Sequence, residues 1–271
     1  MIETTHKLLA IDLDGTLLNS QKEITPRTEA ALIEAQKRGH RIVLATGRPI
    51  IGARPYARQL RLDVYHGFLL CFNGATILQC KDDKLLYENH LPAQFIPKLY
   101  TKSKENGFAI MSYEGNCILT ESVEDKYIQH AARINRMQIL KTRDFANIKT
   151  PVPKCIITGE TDRLILFEKL LRAEFGDELS IIRSESFFLE VMNRGVEKGT
   201  SLAQLLQMIH VNPENLMSFG DSYNDASMLR LAGWSVAMGN ARKEIQALAD
   251  EVTASNDENG VSQVVERRVL F

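Results

Sequence analysis

The sequence has little of what would place a protein in a membrane, on nucleic acid or among disulfide-linked secreted domains. Its 33 lysine and arginine residues nearly balance its 34 aspartate and glutamate residues, and the sequence has no basic run. Both features argue against an extended surface that binds the phosphate backbone of a nucleic acid. No apolar run approaches the roughly 18 residues of a membrane span. Its four cysteines are scattered without a CxxC pair, so buried thiols are expected rather than disulfides or zinc ligands.

The first apolar run, at residues 8–11, is stopped by Asp12 and Asp14 and is too short for the apolar part of a signal peptide. We therefore expect a cytoplasmic protein without nucleic-acid or membrane partners, as a monomer or a small homo-oligomer. A length of 271 residues exceeds what one hydrophobic core usually fills, which predicts one large domain or two smaller ones.

Strand-like apolar runs alternate with helix-period segments at both ends of the chain, which is typical of a parallel sheet with crossover helices. Strands are predicted at residues 7–11, 41–45, 68–72 and 216–219, and helices at 26–38 and 197–209. The middle of the chain mixes helix-period segments with short strands. We predict an α/β fold in which residues 1–83 and 189–271 form one domain and residues 84–188 form a second, mixed α/β domain inserted into it.

Four polar clusters follow predicted strands or open predicted helices, where open α/β sheets place their ligands. They are Asp12-Leu13-Asp14-Gly15-Thr16, Thr46-Gly47-Arg48, Gly195-Val196-Glu197-Lys198-Gly199 and Gly220-Asp221-Ser222-Tyr223-Asn224-Asp225. Carboxylates two residues apart can converge on one hard cation, and a neighbouring glycine permits a turn whose N–H groups face an anion. The clusters therefore indicate a site for a metal ion and a phosphate-like anion.

Each cluster alone also fits a simpler structure. Asp14-Gly15 and Thr46-Gly47 occur as plain turns, a lysine at a helix start is usually solvated, and the fourth cluster could supply an N-cap. A calcium loop that begins at Asp12 would place Glu23 at its twelfth position. That loop is excluded because Gly15 falls at the fourth position instead of the sixth and because an apolar strand precedes it.

Together and in this order, the four clusters resemble the haloacid dehalogenase superfamily, and within it the Cof-type branch of small-molecule phosphatases. The resemblance covers the whole chain, and the turn at Asn73-Gly74-Ala75 and the inserted middle domain are also similar to this branch. It implies a Rossmann-like parallel-sheet core with an inserted C2-type cap that selects the substrate.

The resemblance implies a role for each motif position. Asp12 matches the nucleophile that attacks phosphorus to give an aspartyl-phosphate, and Asp14 matches the general acid/base. The metal positions, which imply Mg²⁺, are the Asp12 carboxylate, the Asp14 carbonyl and Asp221. The phosphate-binding positions are the N–H groups of Leu13 and Gly47 together with Thr46, Lys198 and Asn224.

Three further residues receive supporting roles. In this family the position of Asp225 usually orients the lysine or a metal-bound water. Arg48 either points toward the cap and the substrate or pairs with an acid. Asn73 either contacts the substrate from its turn or holds the turn itself.

The resemblance thus implies a Mg²⁺-dependent phosphatase that hydrolyses small phosphorylated metabolites, such as sugar phosphates. Its partner would be a small-molecule phosphate ester. A phosphohexomutase is the alternative enzyme, because it would share the nucleophile and the acid. A non-catalytic phosphate-binding module would keep the scaffold and lose a catalytic position, and none is lost in this sequence.

Overall fold

A computed structural model describes residues 7–271, so residues 1–6 of the predicted first domain lie outside the described residues. The strands in the described range are β1 (Leu8–Ile11), β2 (Arg41–Ala45), β3 (Phe68–Cys71), β4 (Thr76–Gln79), β5 (Lys84–Glu88), β6 (Ala109–Glu114), β7 (Cys117–Thr120), β8 (Gln138–Lys141), β9 (Cys155–Thr158), β10 (Leu179–Glu185), β11 (Phe188–Asn193), β12 (Leu216–Gly220), β13 (Trp234–Ala237) and β14 (Glu251–Val252). The helices are α1 (Pro26–Lys37), α2 (Ile50–Gln59), α3 (Ile96–Glu105), α4 (Lys126–Asn135), α5 (Thr161–Phe175), α6 (Lys198–Met208), α7 (Ala226–Leu231), α8 (Lys243–Gln246) and α9 (Gly260–Arg268).

The chain divides into two compact units, each with its own sheet. One comprises Met1–Tyr87 with Glu197–Phe271, and the other comprises Glu88–Val196. The predicted boundaries, after residues 83 and 188, fall earlier along the chain. The difference arises because β5 is an outer strand of the first sheet, whereas β11 hydrogen-bonds to β9 and β10 in the second.

The first unit is built on an eight-stranded sheet in the order β14-β13-β12-β1-β2-β3-β4-β5. The strands from β14 to β3 pair in parallel, with β1 at the centre between β12 and β2. Strands β3 and β4 form an antiparallel hairpin through a 3₁₀ turn at Phe72–Gly74. The predicted α/β fold with a parallel-sheet core is confirmed.

Apolar strands and one helix face form the core of this unit. Leu202, Leu205 and Leu206 of α6 pack in one cluster with Val43 of β2 and Leu70 of β3. The central strands are buried along their whole length, so they appear in the sequence as continuous apolar runs rather than alternating ones.

Helix α1 begins where the sequence predicts. The side chain of Thr25 accepts the N–H of Thr28, and Pro26 occupies the first turn, where its missing N–H costs nothing. Strand β2 starts after this helix, beyond Gly39, whose φ of 92° is a backbone conformation that glycine readily adopts.

The second unit has a six-stranded sheet in the order β10-β11-β9-β6-β7-β8. All its pairs are antiparallel except β7 with β8, which α4 connects. Alternate residues of β9 and β11, such as Ile157 and Val191, enter a core that also includes Leu99 of α3 and Phe167 of α5. Within residues 7–271, no helix has the length and apolar character that crossing a membrane requires.

Candidate active site

Three neighbouring parallel strands end at one edge of the first sheet and carry polar clusters there. Asp12 follows β1, Thr46 follows β2 and Asp221 follows β12. Parallel strands direct their carboxyl ends to the same edge, so residues far apart in sequence meet at this point. Leu13, which directly follows Asp12, has a buried side chain. Lys198 joins the cluster from the start of α6.

The ammonium group of Lys198 connects two of these carboxylates. It is fully buried, and Nζ donates to Asp12 Oδ1 at 2.5 Å and to Asp225 Oδ1 at 2.7 Å. Burial lowers the pKa of Lys198, but the charges and hydrogen bonds of Asp12 and Asp225 outweigh it and hold the pKa above its usual value. These two acids also offset the unfavourable placement of a cation at a helix N-terminus.

Asp225 links Lys198 to the loop after β12. Its Oδ2 accepts the N–H groups of Asp221 and Ser222, both at 3.0 Å, while Oδ1 accepts from Lys198. Asp225 is completely buried. Its geometry is therefore that of a residue that orients Lys198 and the backbone of Asp221.

Three carboxylates form an oxygen cluster suited to a hard cation. One oxygen each of Asp12, Asp221 and Asp225 lies within 4.8 Å of the others. Opposite ligands of an octahedral Mg²⁺ are about 4 Å apart, so the size and the chemistry of the donor set fit this ion. The oxygens of Asp225 accept from an ammonium group and two backbone N–H groups, whereas those of Asp221 accept from the hydroxyl groups of Thr16 and Ser222, so Asp12 and Asp221 are the better placed ligands.

The charges of this cluster also favour a cation. Three carboxylates and one ammonium leave an excess of negative charge in a buried position. Burial raises the pKa of Asp12 well above its usual value, an effect that Lys198 opposes and that Asp225 and Asp221 reinforce. Burial and the charge of Asp225 raise the pKa of Asp221 to about 6. A divalent cation would neutralise this excess charge.

Asp221 is held by the loop that follows β1. Thr16 Oγ1 donates to Asp221 Oδ1 at 2.9 Å, and Ser222 Oγ donates to Asp221 Oδ2 at 3.1 Å. Gly15 has a φ of 84°, and a Cβ at this position would lie 2.6 Å from Asp221 Oδ2. Both the backbone conformation and the close approach therefore require glycine at residue 15.

The carboxylate of Asp14 is not part of the oxygen cluster. It accepts from Arg48 through two hydrogen bonds, Nε to Oδ2 at 2.6 Å and Nη2 to Oδ1 at 2.7 Å, and from Lys22 Nζ at 2.8 Å. Burial raises the pKa of Asp14, but the contacts with Arg48 and Lys22 outweigh it and lower the pKa to about 2. Of the two alternatives for Arg48, the structure shows the pairing with an acid.

The phosphate-binding candidates of the β2 loop are tied to the hairpin turn. Thr46 Oγ1 accepts the N–H of Arg48 at 3.1 Å, and the Thr46 carbonyl accepts the N–H of Asn73 at 3.0 Å. Asn73 has a φ of 58°, and its Oδ1 accepts from Asn224 Nδ2 at 3.1 Å. A Cβ at Gly47 would lie 3.1 Å from the same Oδ1. Asn73 thus holds the turn and orients Asn224.

Several contacts around the site were not predicted from the sequence. Lys22 and Thr16 contact the acids described above, and Asn240 Nδ2 donates to the Gly15 carbonyl at 2.8 Å. Asn256 donates its backbone N–H to Asn240 Oδ1 at 3.0 Å. A signal for Asn240 was present, because it follows β13 as the other clusters follow their strands.

A parallel α/β core that gathers acids and a buried lysine at the carboxyl edge of its strands is the architecture of a phosphoryl-transfer hydrolase. Residues 9–265 match the haloacid dehalogenase-like hydrolase family, and the chain belongs to it. Asp12, Asp14, Thr46, Lys198 and Asp221 all lie within the matched residues.

Relatives of known name or structure agree with this assignment. The chain is 30% identical to the 5-amino-6-(5-phospho-D-ribitylamino)uracil phosphatase YcsE of Bacillus subtilis, over 97% of this chain and 96% of that protein. A haloacid dehalogenase-like hydrolase from Bacteroides thetaiotaomicron is 42% identical, with a TM-score of 0.91 over 98% of this chain and 100% of that one. The subclass IIB sugar phosphatase BT4131 is 26% identical, with a TM-score of 0.81 over 98% and 100%.

Proposed function

We propose that the protein is a Mg²⁺-dependent phosphatase that hydrolyses small phosphorylated metabolites, sugar phosphates or similar monoesters, through an aspartyl-phosphate on Asp12. The observation that carries the proposal is the oxygen cluster of Asp12, Asp221 and Asp225 around the buried ammonium of Lys198. Two of the relatives are named for a sugar substrate and for a phosphorylated ribitylamino compound, which supports small monoesters as the substrate class.

In the first step, a carboxylate oxygen of Asp12 attacks phosphorus as the bond to the leaving oxygen breaks. Lys198 holds Asp12 Oδ1, which leaves Oδ2 for the attack. Because Arg48 and Lys22 keep Asp14 as a carboxylate in the free protein, Asp14 takes a proton from the bound ester, which enters as its monoanion. It passes this proton to the leaving oxygen, so the product departs as an alcohol. The N–H groups of Leu13 and Gly47, with Thr46, Lys198 and Asn224, are assigned to the phosphoryl oxygens.

In the second step, water attacks the aspartyl-phosphate, and Asp14 accepts the proton of that water. This returns Asp12 to its carboxylate form and releases phosphate. Mg²⁺ held by the carboxylates of Asp12 and Asp221 and the carbonyl of Asp14 would supply positive charge that reduces the repulsion between Asp12 and a dianionic phosphate.

We assign the unit Glu88–Val196 the role of the C2-type cap, which selects the leaving group. The mixed α/β structure of this unit and its insertion into the sequence of the first unit support the assignment. It implies that exchange of this unit with that of a relative changes the preferred substrate and leaves the phosphoryl chemistry unchanged.

The test of the proposed function is phosphate release from a panel of phosphorylated metabolites and a generic aryl phosphate. We expect release from several monoesters, and the order of kcat/KM identifies the substrate class. Isomerised sugar phosphate without free phosphate would identify a phosphohexomutase. A lack of turnover with the whole panel would contradict the proposal and favour a binding module.

Metal removal provides a second test. We expect EDTA to abolish phosphate release and added Mg²⁺ to restore it, because Asp12 and Asp221 are left with excess negative charge. Asp221→Asn should raise the Mg²⁺ concentration needed for half-maximal rate by at least about tenfold. Titration calorimetry of each form without substrate measures the same change independently of activity. Full activity in EDTA would contradict the metal requirement.

Gly15→Ala is expected to displace Asp221, because the new Cβ would lie 2.6 Å from its Oδ2. We predict a rise of about tenfold in the Mg²⁺ concentration for half-maximal rate. Gly115→Ala is the matched control, since Gly115 also has a positive φ, of 55°, but nothing within 4 Å of its Cβ position. Both variants carry the backbone cost, and only Gly15→Ala should change the metal dependence. Equal Mg²⁺ dependence in the two variants would contradict the steric argument.

A further inference from the structure

The guanidinium of Arg48 donates two parallel hydrogen bonds to the carboxylate of Asp14. Nε donates to Oδ2 at 2.6 Å and Nη2 donates to Oδ1 at 2.7 Å. Such a two-point contact fixes the plane and the direction of a carboxylate, which a single lysine contact does not.

Arg48 is itself held in place from several sides. Its side chain is 7% exposed, and the guanidinium lies 5.4 Å from the centre of the Tyr56 ring. The N–H of Arg48 donates to Thr46 Oγ1, and its carbonyl accepts the N–H of Phe72 at 3.0 Å. The direction of Asp14 is therefore set by the same loop that carries the phosphate-binding candidate Thr46.

The two oxygens of Asp14 are not equivalent. Within residues 7–271, Oδ1 accepts from both Arg48 and Lys22, whereas Oδ2 accepts from Arg48 alone. Each carboxylate oxygen has two acceptor positions, so Oδ2 keeps one for a proton while Arg48 Nε holds the other. This geometry leaves Oδ2 as the oxygen suited to proton transfer.

We propose that Arg48 is a positioning residue for proton transfer, which aims Oδ2 of Asp14 at the leaving oxygen; this inference rests on the proposed function. In the first step Oδ2 passes the proton that it has taken from the bound monoanionic ester to the leaving oxygen as the P–O bond breaks. In the second step Oδ2 takes a proton from the attacking water. Arg48 acts through Asp14 and does not take part in the attack of Asp12 on phosphorus.

Two leaving groups of similar shape should differ in how strongly they depend on Arg48. 4-Nitrophenolate is a weak base and leaves without a proton, whereas the phenolate of phenyl phosphate needs one. We expect Arg48→Ala to lower kcat/KM for phenyl phosphate by about a hundredfold and for 4-nitrophenyl phosphate by less than about fivefold. The ratio kcat/KM reports the first step, so slow hydrolysis of the aspartyl-phosphate does not mask the effect.

The variant Arg48→Lys and the double variant of Arg48→Ala with Asp14→Asn complete the experiment. Arg48→Lys keeps the charge without the two-point contact, so it should recover part of the loss of kcat/KM with phenyl phosphate. If Arg48→Ala folds poorly, Arg48→Lys takes its place as the test variant. In the Asp14→Asn background, Arg48→Ala should cause no further leaving-group-selective loss. Arg54→Ala is the matched control, because Arg54 lies on α2 and pairs with the surface residue Asp83.

An equal loss of kcat/KM with both substrates would overturn the inference, since it would mean that Arg48 binds the phosphoryl group or supports the fold. Additive losses of Arg48→Ala and Asp14→Asn would overturn it as well. Failure of the proposed function has a different signature, because the wild-type protein would then hydrolyse neither aryl phosphate.

Discussion

Asp12→Asn is expected to reduce phosphate release by at least about a thousandfold while the protein stays folded. An amide is a far weaker nucleophile than a carboxylate, so no aspartyl-phosphate forms. Lys198 keeps its contact with Asp225 at 2.7 Å, and the new side chain has almost the same volume, so the packing around residue 12 is preserved. The measurement is kcat with the best substrate of the panel, beside the circular dichroism spectrum and the melting temperature.

Covalent labelling distinguishes this mechanism from direct attack by water. Brief mixing with a monoester that is radiolabelled in its phosphoryl group, followed by quenching with acid, should leave label on the wild-type protein and none on Asp12→Asn. Asp63→Asn is the matched control, since Asp63 lies in the same unit and is exposed; we expect it to label and to turn over like the wild type. More than about a tenth of wild-type activity in Asp12→Asn would contradict the covalent mechanism.

The sequence sufficed to predict that the polar clusters meet, because a general rule of parallel sheets brings them together. Alternating strands and helices predict the sheet, and the carboxyl ends of its strands share one edge. Asp12, Thr46 and Asp221 each follow such a strand, so their proximity required no knowledge of side-chain directions. Their roles came from the family resemblance, which the match over residues 9–265 confirms at the level of the family.

Side-chain directions could not be predicted in the same way. Arg48 could have faced the substrate or an acid, and its direction is set by the Tyr56 ring and by Asp14, neither of which the sequence pattern connects to it. Lys22 reaches Asp14 because the chain turns back at Asn19, whose Oδ1 accepts the N–H of Gln21 at 3.0 Å. Such turns depend on local hydrogen bonds rather than on hydrophobic periodicity.

Hydrophobic periodicity also does not predict helix α2. The segment Ile50–Gln59 follows Pro49 and contains Gly52 and Pro55, which usually interrupt helices, so no helix was predicted there. Burial of Ala53 and Ala57 against the sheet outweighs the unfavourable local preference. This helix carries Tyr56, which packs beside Arg48, so the site depends on an element that its own sequence disfavours.

The second unit contains a buried ion pair that the sequence pattern could not reveal. Lys154 Nζ lies 2.7 Å from Glu190 Oε2, and the two side chains are 1% and 4% exposed. Ser184 Oγ donates to the other oxygen of Glu190 at 2.7 Å. The partners are 36 residues apart and meet because β11 pairs antiparallel with β9, which places Glu190 opposite Ile156. Burial, reinforced by the charge of Glu190, raises the pKa of Tyr113.

Lys154→Met is expected to lower the free energy of unfolding by about 3–5 kcal/mol, because it leaves the carboxylate of Glu190 buried without its cation. The measurement is the urea unfolding midpoint, read together with hydrogen exchange of β9 and β11.

Lys126→Met is the matched control, since Lys126 lies 2.8 Å from Glu160 but the two side chains are 70% and 66% exposed. We expect no measurable change for this surface pair. The double variant Lys154→Met with Glu190→Leu should recover much of the loss, because neither charge then remains buried. Similar stability of Lys154→Met and the wild type would show that the buried pair contributes no more than a surface pair does.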